Sequence, residues 1–286
     1  MNFIRLITAI FFSVLFFNNS FALDCNRTIS AAVTVQYSCV DDDSLTVTGS
    51  IIYDNQNAVL ATQKDNVTIS NSGTIKVTAE GGSIDSPIGG QSSLNLTVTN
   101  SGTIWAQDDY GIKLIEAEKV TITNEAGGTI KGTPDESGSQ IAIGGTKMGN
   151  CSTCLNGSTT SSEEGLTLYN YGTIDANSRT VYGGHTSGHT SKKTRIYNYN
   201  GGIIKANTSS AIKFRFAHDI NIQNYLGATI QSGTNSDFAV DLTSSSTVTL
   251  NNEGTIFSGK RYGVSCNLCT NITLTNSGTI EATQNS

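Results

Sequence analysis

The five-residue unit Asn-x-Gly-Thr-Ile recurs along this chain, and that recurrence restricts the fold more than any other feature. It stands at Asn71-Ser72-Gly73-Thr74-Ile75, Asn100–Ile104, Asn170–Ile174, Asn252–Ile256 and Asn276–Ile280. Three longer copies, Asn124–Ile130, Asn198–Ile204 and Asn224–Ile230, carry two extra residues in the turn but keep the leading Asn and the closing Ile. Successive Asn residues are 29, 24, 46, 28, 26, 28 and 24 positions apart. A near-constant period of this size marks an array of stacked supersecondary units.

Each copy has the same surroundings. An alternating run precedes the Asn, as in Val67-Thr68-Ile69, Leu96-Thr97-Val98, Val120-Thr121-Ile122 and Val248-Thr249-Leu250. Period-two alternation places the aliphatic residues on one strand face and Thr on the other. Asn turns the chain, Gly is expected to supply the backbone angles of that turn, and Thr-Ile opens a second strand. A third short strand follows, as at Gly111–Leu114, Ile141–Ile143, Ala211–Phe216, Phe238–Leu242 and Gly263-Val264. Leucine-rich repeats need other spacings, and propeller blades need four strands in about 40 residues. The expected fold is therefore all-β: a right-handed parallel β-helix of about nine coils, each of three short strands.

The repetition has an energetic reason. One coil buries about five aliphatic side chains at roughly 2 kcal/mol each, whereas ordering about 26 residues costs on the order of 1.5 kcal/mol apiece. A lone coil cannot fold, so stability must come from neighbouring coils. Stacked Asn amides can bond from coil to coil at the turn, which makes the repeated Asn and Gly structural.

Residues 1–22 read as a secretory signal peptide: Arg5 near the start, an apolar run from Leu6 to Phe17, and a small-x-small end at Ser20-Phe21-Ala22. The run is too short to span a bilayer as a helix. Residues 23–43 are expected to form an N-terminal cap, and residues 44–286 the repeat domain. Loss of Arg5, the only charged leader residue, takes the formal charge from −6 to −7. A chain this acidic lacks the basic field of a nucleic-acid binder.

The Val-Thr-Ile-Thr-Asn-Ser-Gly-Thr-Ile style of repeat resembles the β-helical passenger region of bacterial autotransporters and related surface adhesins, over most of residues 45–286. The resemblance implies a secreted product at the bacterial outer-membrane surface, delivered by a C-terminal translocator barrel. The six residues after the last Gly-Thr-Ile leave no room for membrane strands. The expectation is a truncated or split chain, or one exported by another route.

Six cysteines behind a signal peptide read as disulfides. Nearest-neighbour pairing joins Cys25 with Cys39, Cys151 with Cys154, and Cys266 with Cys269. Such short loops suit export of an unfolded chain through a narrow pore, as the resemblance implies. The alternative, one zinc held by Cys151, Cys154, Cys266 and Cys269, would have to bridge about four coils, roughly 20 Å.

A search for chemistry yields no catalytic residue, cofactor or metal assignment. Asp108-Asp109 has no matching carboxylate or cation in neighbouring coils, and glycoside hydrolysis needs a carboxylate pair. His185 and His189 share an i, i+4 spacing but lack the Glu of a zinc-protease helix. The informative departures are two insertions, 144–165 and 183–194, at one corner of consecutive coils. Together with the next coil, the second gives a small basic patch of His185, His189, Lys192, Lys193, Arg195, Lys213 and Arg215, a candidate recognition surface for an anionic glycan. The expected function is non-enzymatic adhesion or surface interaction, with a cell-surface glycan or protein as partner. A polysaccharide-degrading β-helix lyase or hydrolase, and a self-associating structural solenoid, are the alternatives.

Overall fold

The computed structural model describes residues 22–54, 56–78, 86–132, 140–149, 164–184, 191–236 and 238–283. The expected leader thus lies outside the described residues except for Ala22. The described residues contain no helix. Their strands form three sheets of ten strands each, in which every third strand of the chain is a neighbour. All inter-strand pairings are parallel, for example Thr97–Asn100 with Val120–Asn124 and Thr229–Ser232 with Thr255–Ser258. This is a parallel β-helix. We number its rungs 1 to 10, each made of one strand from sheet A, then B, then C.

Sheet B consists of Arg27–Ile29, Ser44–Val47, Thr68–Asn71, Thr97–Asn100, Val120–Asn124, Leu166–Asn170, Lys192–Asn198, His218–Asn224, Ser246–Asn252 and Thr270–Asn276. Sheet A runs from Leu23–Asp24 to Tyr262–Asn267, and sheet C from Ala32–Val33 to Thr279–Ala282. Residues 23–43, expected as a cap, supply rung 1 and the first strand of rung 2. Leu23 pairs with Tyr37, so rung 1 takes only 14 residues, and the buried Cys25–Cys39 disulfide spans it.

The alternation in sequence becomes aliphatic stacking in space. In sheet B, Ile69, Val98, Ile122, Leu168, Ile196, Ile222 and Leu250 stand in register, all buried. In sheet C the Ile of each repeat stacks on the last, Ile75 on Ile104 on Ile130 on Ile174. The Thr and Ser residues between them face outward, half-exposed.

The repeated Asn residues form a continuous ladder, buried from Asn71 to Asn252. Each Nδ2 donates to the Oδ1 of the next rung: Asn71 to Asn100 at 2.7 Å, Asn100 to Asn124 at 2.8 Å, Asn124 to Asn170 at 2.9 Å, and so on to Asn276. The second Nδ2 proton goes to a backbone carbonyl of the next rung, such as Thr229 O from Asn198 at 3.1 Å. Position 47 is Val, so the ladder begins at Asn71, whose buried Oδ1 has no partner.

The repeat glycines have a different reason from the expected one. In the short copies their φ is not positive. A Cβ on Gly102 would instead stand 2.1 Å from the Gly73 carbonyl oxygen, and one on Gly278 2.2 Å from that of Gly254. Close approach of stacked turns is what excludes a side chain. Positive φ is confined to the longer copies, at Gly127, Gly201 and Gly227.

The corner between sheets A and B contains almost no glycine. It is made of paired left-handed residues three apart: Gln63 and Asn66, Ser92 and Asn95, Glu116 and Lys119, Phe216 and Asp219, Ser244 and Thr247, Leu268 and Asn271. The second members form a column at the N-terminal ends of the sheet B strands. Its first links are side-chain bonds, Asn66 Nδ2 to Asp42 Oδ1 and Asn95 Nδ2 to Asn66 Oδ1, both 2.8 Å.

Candidate binding face

The predicted patch divides over two sheets. His185 and His189 lie outside the described residues, as do Cys151 and Cys154. Lys192, Lys193 and Arg195 belong to the rung 7 strand of sheet B, whereas Lys213 and Arg215 belong to Ile212–Arg215 in sheet A. Lys213 is neutralised by Asp241 of the next rung, in a pair that is largely buried. Arg215 lies near Tyr182, whose phenol pKa is raised by burial and partly pulled back by Arg179 and Arg215. Lys213 is thus ion-paired and Arg215 half-buried on sheet A, while Lys192, Lys193 and Arg195 are half-buried on sheet B.

There Lys193 and Arg195 meet two charged residues that the sequence reading did not select, Lys119 and Glu164. With Val120, Thr121, Gly165 and Thr167 they line a cavity of about 270 Å³ on the outer face of rungs 5 to 7. Backbone register explains the grouping. Val120 pairs with Leu166, Thr167 with Arg195 and Thr194 with Ile220, so Lys119, Gly165 and Lys193 stand one position before the aligned Val120, Leu166 and Thr194. Two lysines thus flank a glycine, two rungs or about 9.5 Å apart along the axis. Arg195 is held in place by Asp219, with Nη2 donating to Oδ2 at 2.7 Å and Nη1 to the backbone oxygen at 2.6 Å.

Next to this cavity the outer face turns aromatic. Two residues past Thr167 and Arg195 stand Tyr169 and Tyr197, in register and stacked at 5.3 Å. Two residues further, at the corner after the Asn ladder, Tyr171, Tyr199 and Tyr225 stack at 4.4 and 4.7 Å. Tyr171, at one end of the column, is 39% exposed. Burial between its neighbours and the adjoining phenols of Tyr171 and Tyr225 push the Tyr199 pKa up to about 12. In other rungs the same position holds Ser72, Ser101, Glu125, Glu253 or Ser277. The signal was visible in sequence as three consecutive Asn-Tyr pairs within the repeat.

The acids considered for catalysis are occupied. Asp109 pairs with Lys113, four residues further along its own coil, at 3.0 Å. Gln140 Nε2 donates to Asp108 at 3.3 Å. Glu116, Asp175 and Asp241 are paired with Lys147, Lys205 and Lys213. Cys266 and Cys269 form a disulfide, with Cα atoms 5.6 Å apart, and so are not available as zinc ligands. No family model, curated protein or solved structure matches the chain.

Proposed function

We propose that the protein is a non-enzymatic, secreted or surface-displayed solenoid of the autotransporter-passenger kind, which attaches to its partner through the lateral face of sheet B. The repeated Asn, Gly and Ile residues are consumed by the scaffold, so recognition falls to outward positions where the repeat is altered. The observation that carries this reading is the group of five in-register tyrosines on rungs 6 to 8. Scaffold stability does not require them, because Ser, Thr and Glu serve at the same positions in other rungs. Tyrosine combines a large apolar ring with a polar tip at low entropic cost, which suits it to interfaces.

Pairing of Asp109, Asp175 and Asp241 with lysines disfavours the lyase or hydrolase alternative, which needs unpaired acids and bases converging in a groove. The test is adhesion. Beads coated with the folded chain should attach to cultured cell monolayers. A triple variant, Tyr171→Ser, Tyr199→Ser and Tyr225→Ser, copying the serines of other rungs, should attach several-fold less while keeping its β circular-dichroism spectrum. Equal attachment by the folded variant would refute the lateral-face reading.

A further inference from the structure

The corner column at the N-terminal ends of the sheet B strands contains an anomaly. Left-handed backbone is tolerated best by Asn, Asp and Gly, and Asp42, Asn66, Asn95, Asp219 and Asn271 follow that preference. Lys119, Lys193 and Thr247 depart from it, with φ values of 51°, 42° and 54°. The two lysines flank Gly165 and line the same cavity. Neither lysine has an ion pair among the described residues. Arg195 adds a third cation, and Glu164 is the one acid in the lining.

We propose that this cavity binds an acidic polysaccharide, with Lys119, Lys193 and Arg195 holding its carboxylate or sulfate groups and the tyrosines continuing the contact along the chain. The proposal rests on the lateral-face reading and assigns its ligand. Glu164 lies in the lining and Asp219 is paired with Arg195, so the excess charge of the site is that of the two lysines, on a protein of formal charge −6, which favours a specific anion site over general attraction. Tyr169 and Tyr197 lie two residues away on the same outer face. Their rings stack on each other, so their hydroxyls and positively polarised edges are what remain for an oxygen-rich ligand. Beside Tyr169 on the rung 5 side the row continues with Thr123, a short side chain next to the ring. Thr121 and Thr167 add half-exposed hydroxyls to the cavity. Sugar hydroxyls and ring edges match this mixture of donors better than a purely charged peptide does.

Binding to polygalacturonate, dextran sulfate, neutral dextran and polyglutamate tests the assignment. The folded chain should bind one or both acidic polysaccharides, weaken with salt and ignore neutral dextran. The two acidic probes separate carboxylate from sulfate. Lys119→Asn and Lys193→Asn copy the residues found elsewhere in the column, so each should leave thermal stability equal or higher while weakening binding about tenfold. Lys131→Gln, on sheet C, should change nothing. The proposal is overturned if neither acidic polysaccharide binds, if polyglutamate binds tighter, if the Asn variants bind like wild type, or if they lose stability. Persistence of cell attachment in the two Asn variants would sink the ligand assignment while sparing the lateral-face reading. Loss of tyrosine dependence would sink the latter.

Discussion

Replacing Asn198 by alanine interrupts the buried amide ladder at its middle, and the structure sets the cost. Asn198 Oδ1 accepts from Asn170 Nδ2 at 2.8 Å, while its own Nδ2 donates to Asn224 Oδ1 at 2.9 Å and to Thr229 O at 3.1 Å. Truncation removes all three bonds. Asn170 keeps its bond to Ile203 O, but Asn224 Oδ1 is left buried without its ladder donor. An orphaned buried acceptor costs about 1–3 kcal/mol, and each lost bond a net of about 1 kcal/mol. The expected loss is about 4–6 kcal/mol. Asn276 is the comparison, because it closes the ladder on an exposed strand where water can replace its partners; Asn276→Ala should cost under about 1 kcal/mol. Guanidinium unfolding of the disulfide-intact chain measures both. Amide exchange should locate the Asn198→Ala loss at rungs 6 to 8, since a solenoid need not unfold all at once. Equal losses at the two sites would refute the ladder as a source of stability.

Other consequences follow from the same geometry. Val47→Asn supplies the donor that Asn71 Oδ1 lacks, so it should stay within about 1 kcal/mol of wild type, whereas Val98→Asn, inward but off the ladder, should cost over about 3 kcal/mol in the same unfolding assay. Gly102→Ala must push rungs 3 and 4 apart and should cost about 1–3 kcal/mol. Gly127→Ala meets no atom within 4 Å and should cost only the left-handed backbone penalty of about 1 kcal/mol, so a larger loss at Gly127 would contradict the close-approach account. In ultraviolet titration, Tyr199→Phe should remove a phenolate step near pH 12. Because folding raises this pKa above the ordinary value of about 10, the stability it contributes is fully present below pH 10 and lost as pH rises through 12. Loss of a step near pH 10 instead would contradict the account of the stacked column.

The fold was legible because the repeat fixes three things at once: the period, the inward face and the turn. Register needed no further information, since stacking Asn on Asn aligns every sheet B strand from rung 3 onward. The corner between sheets A and B was not legible. It is built from left-handed residues as unlike as Gln63, Phe216 and Leu268, so side-chain identity carries no marker there. Rung 1 was also hidden, because its strands are two or three residues long and its coil takes only 14 residues. The binding face was half visible. Lys193 and Arg195 stood out within a run of cations, while Lys119 joins them only through the 46-residue step between Asn124 and Asn170, which brings rungs 5 and 6 into contact across a long insertion. Lys213 and Arg215 shared the corner in sequence but not the sheet.

Lysine acetylation footprinting, with and without polygalacturonate or dextran sulfate, addresses the central claim that recognition resides on the outer face of sheet B at rungs 5 to 7. Lys119 and Lys193 should lose reactivity when the polysaccharide is present, while Lys76 and Lys131, on sheet C, should react as before. Bound polysaccharide that left Lys119 and Lys193 fully reactive, or that shielded the sheet C lysines equally, would contradict it.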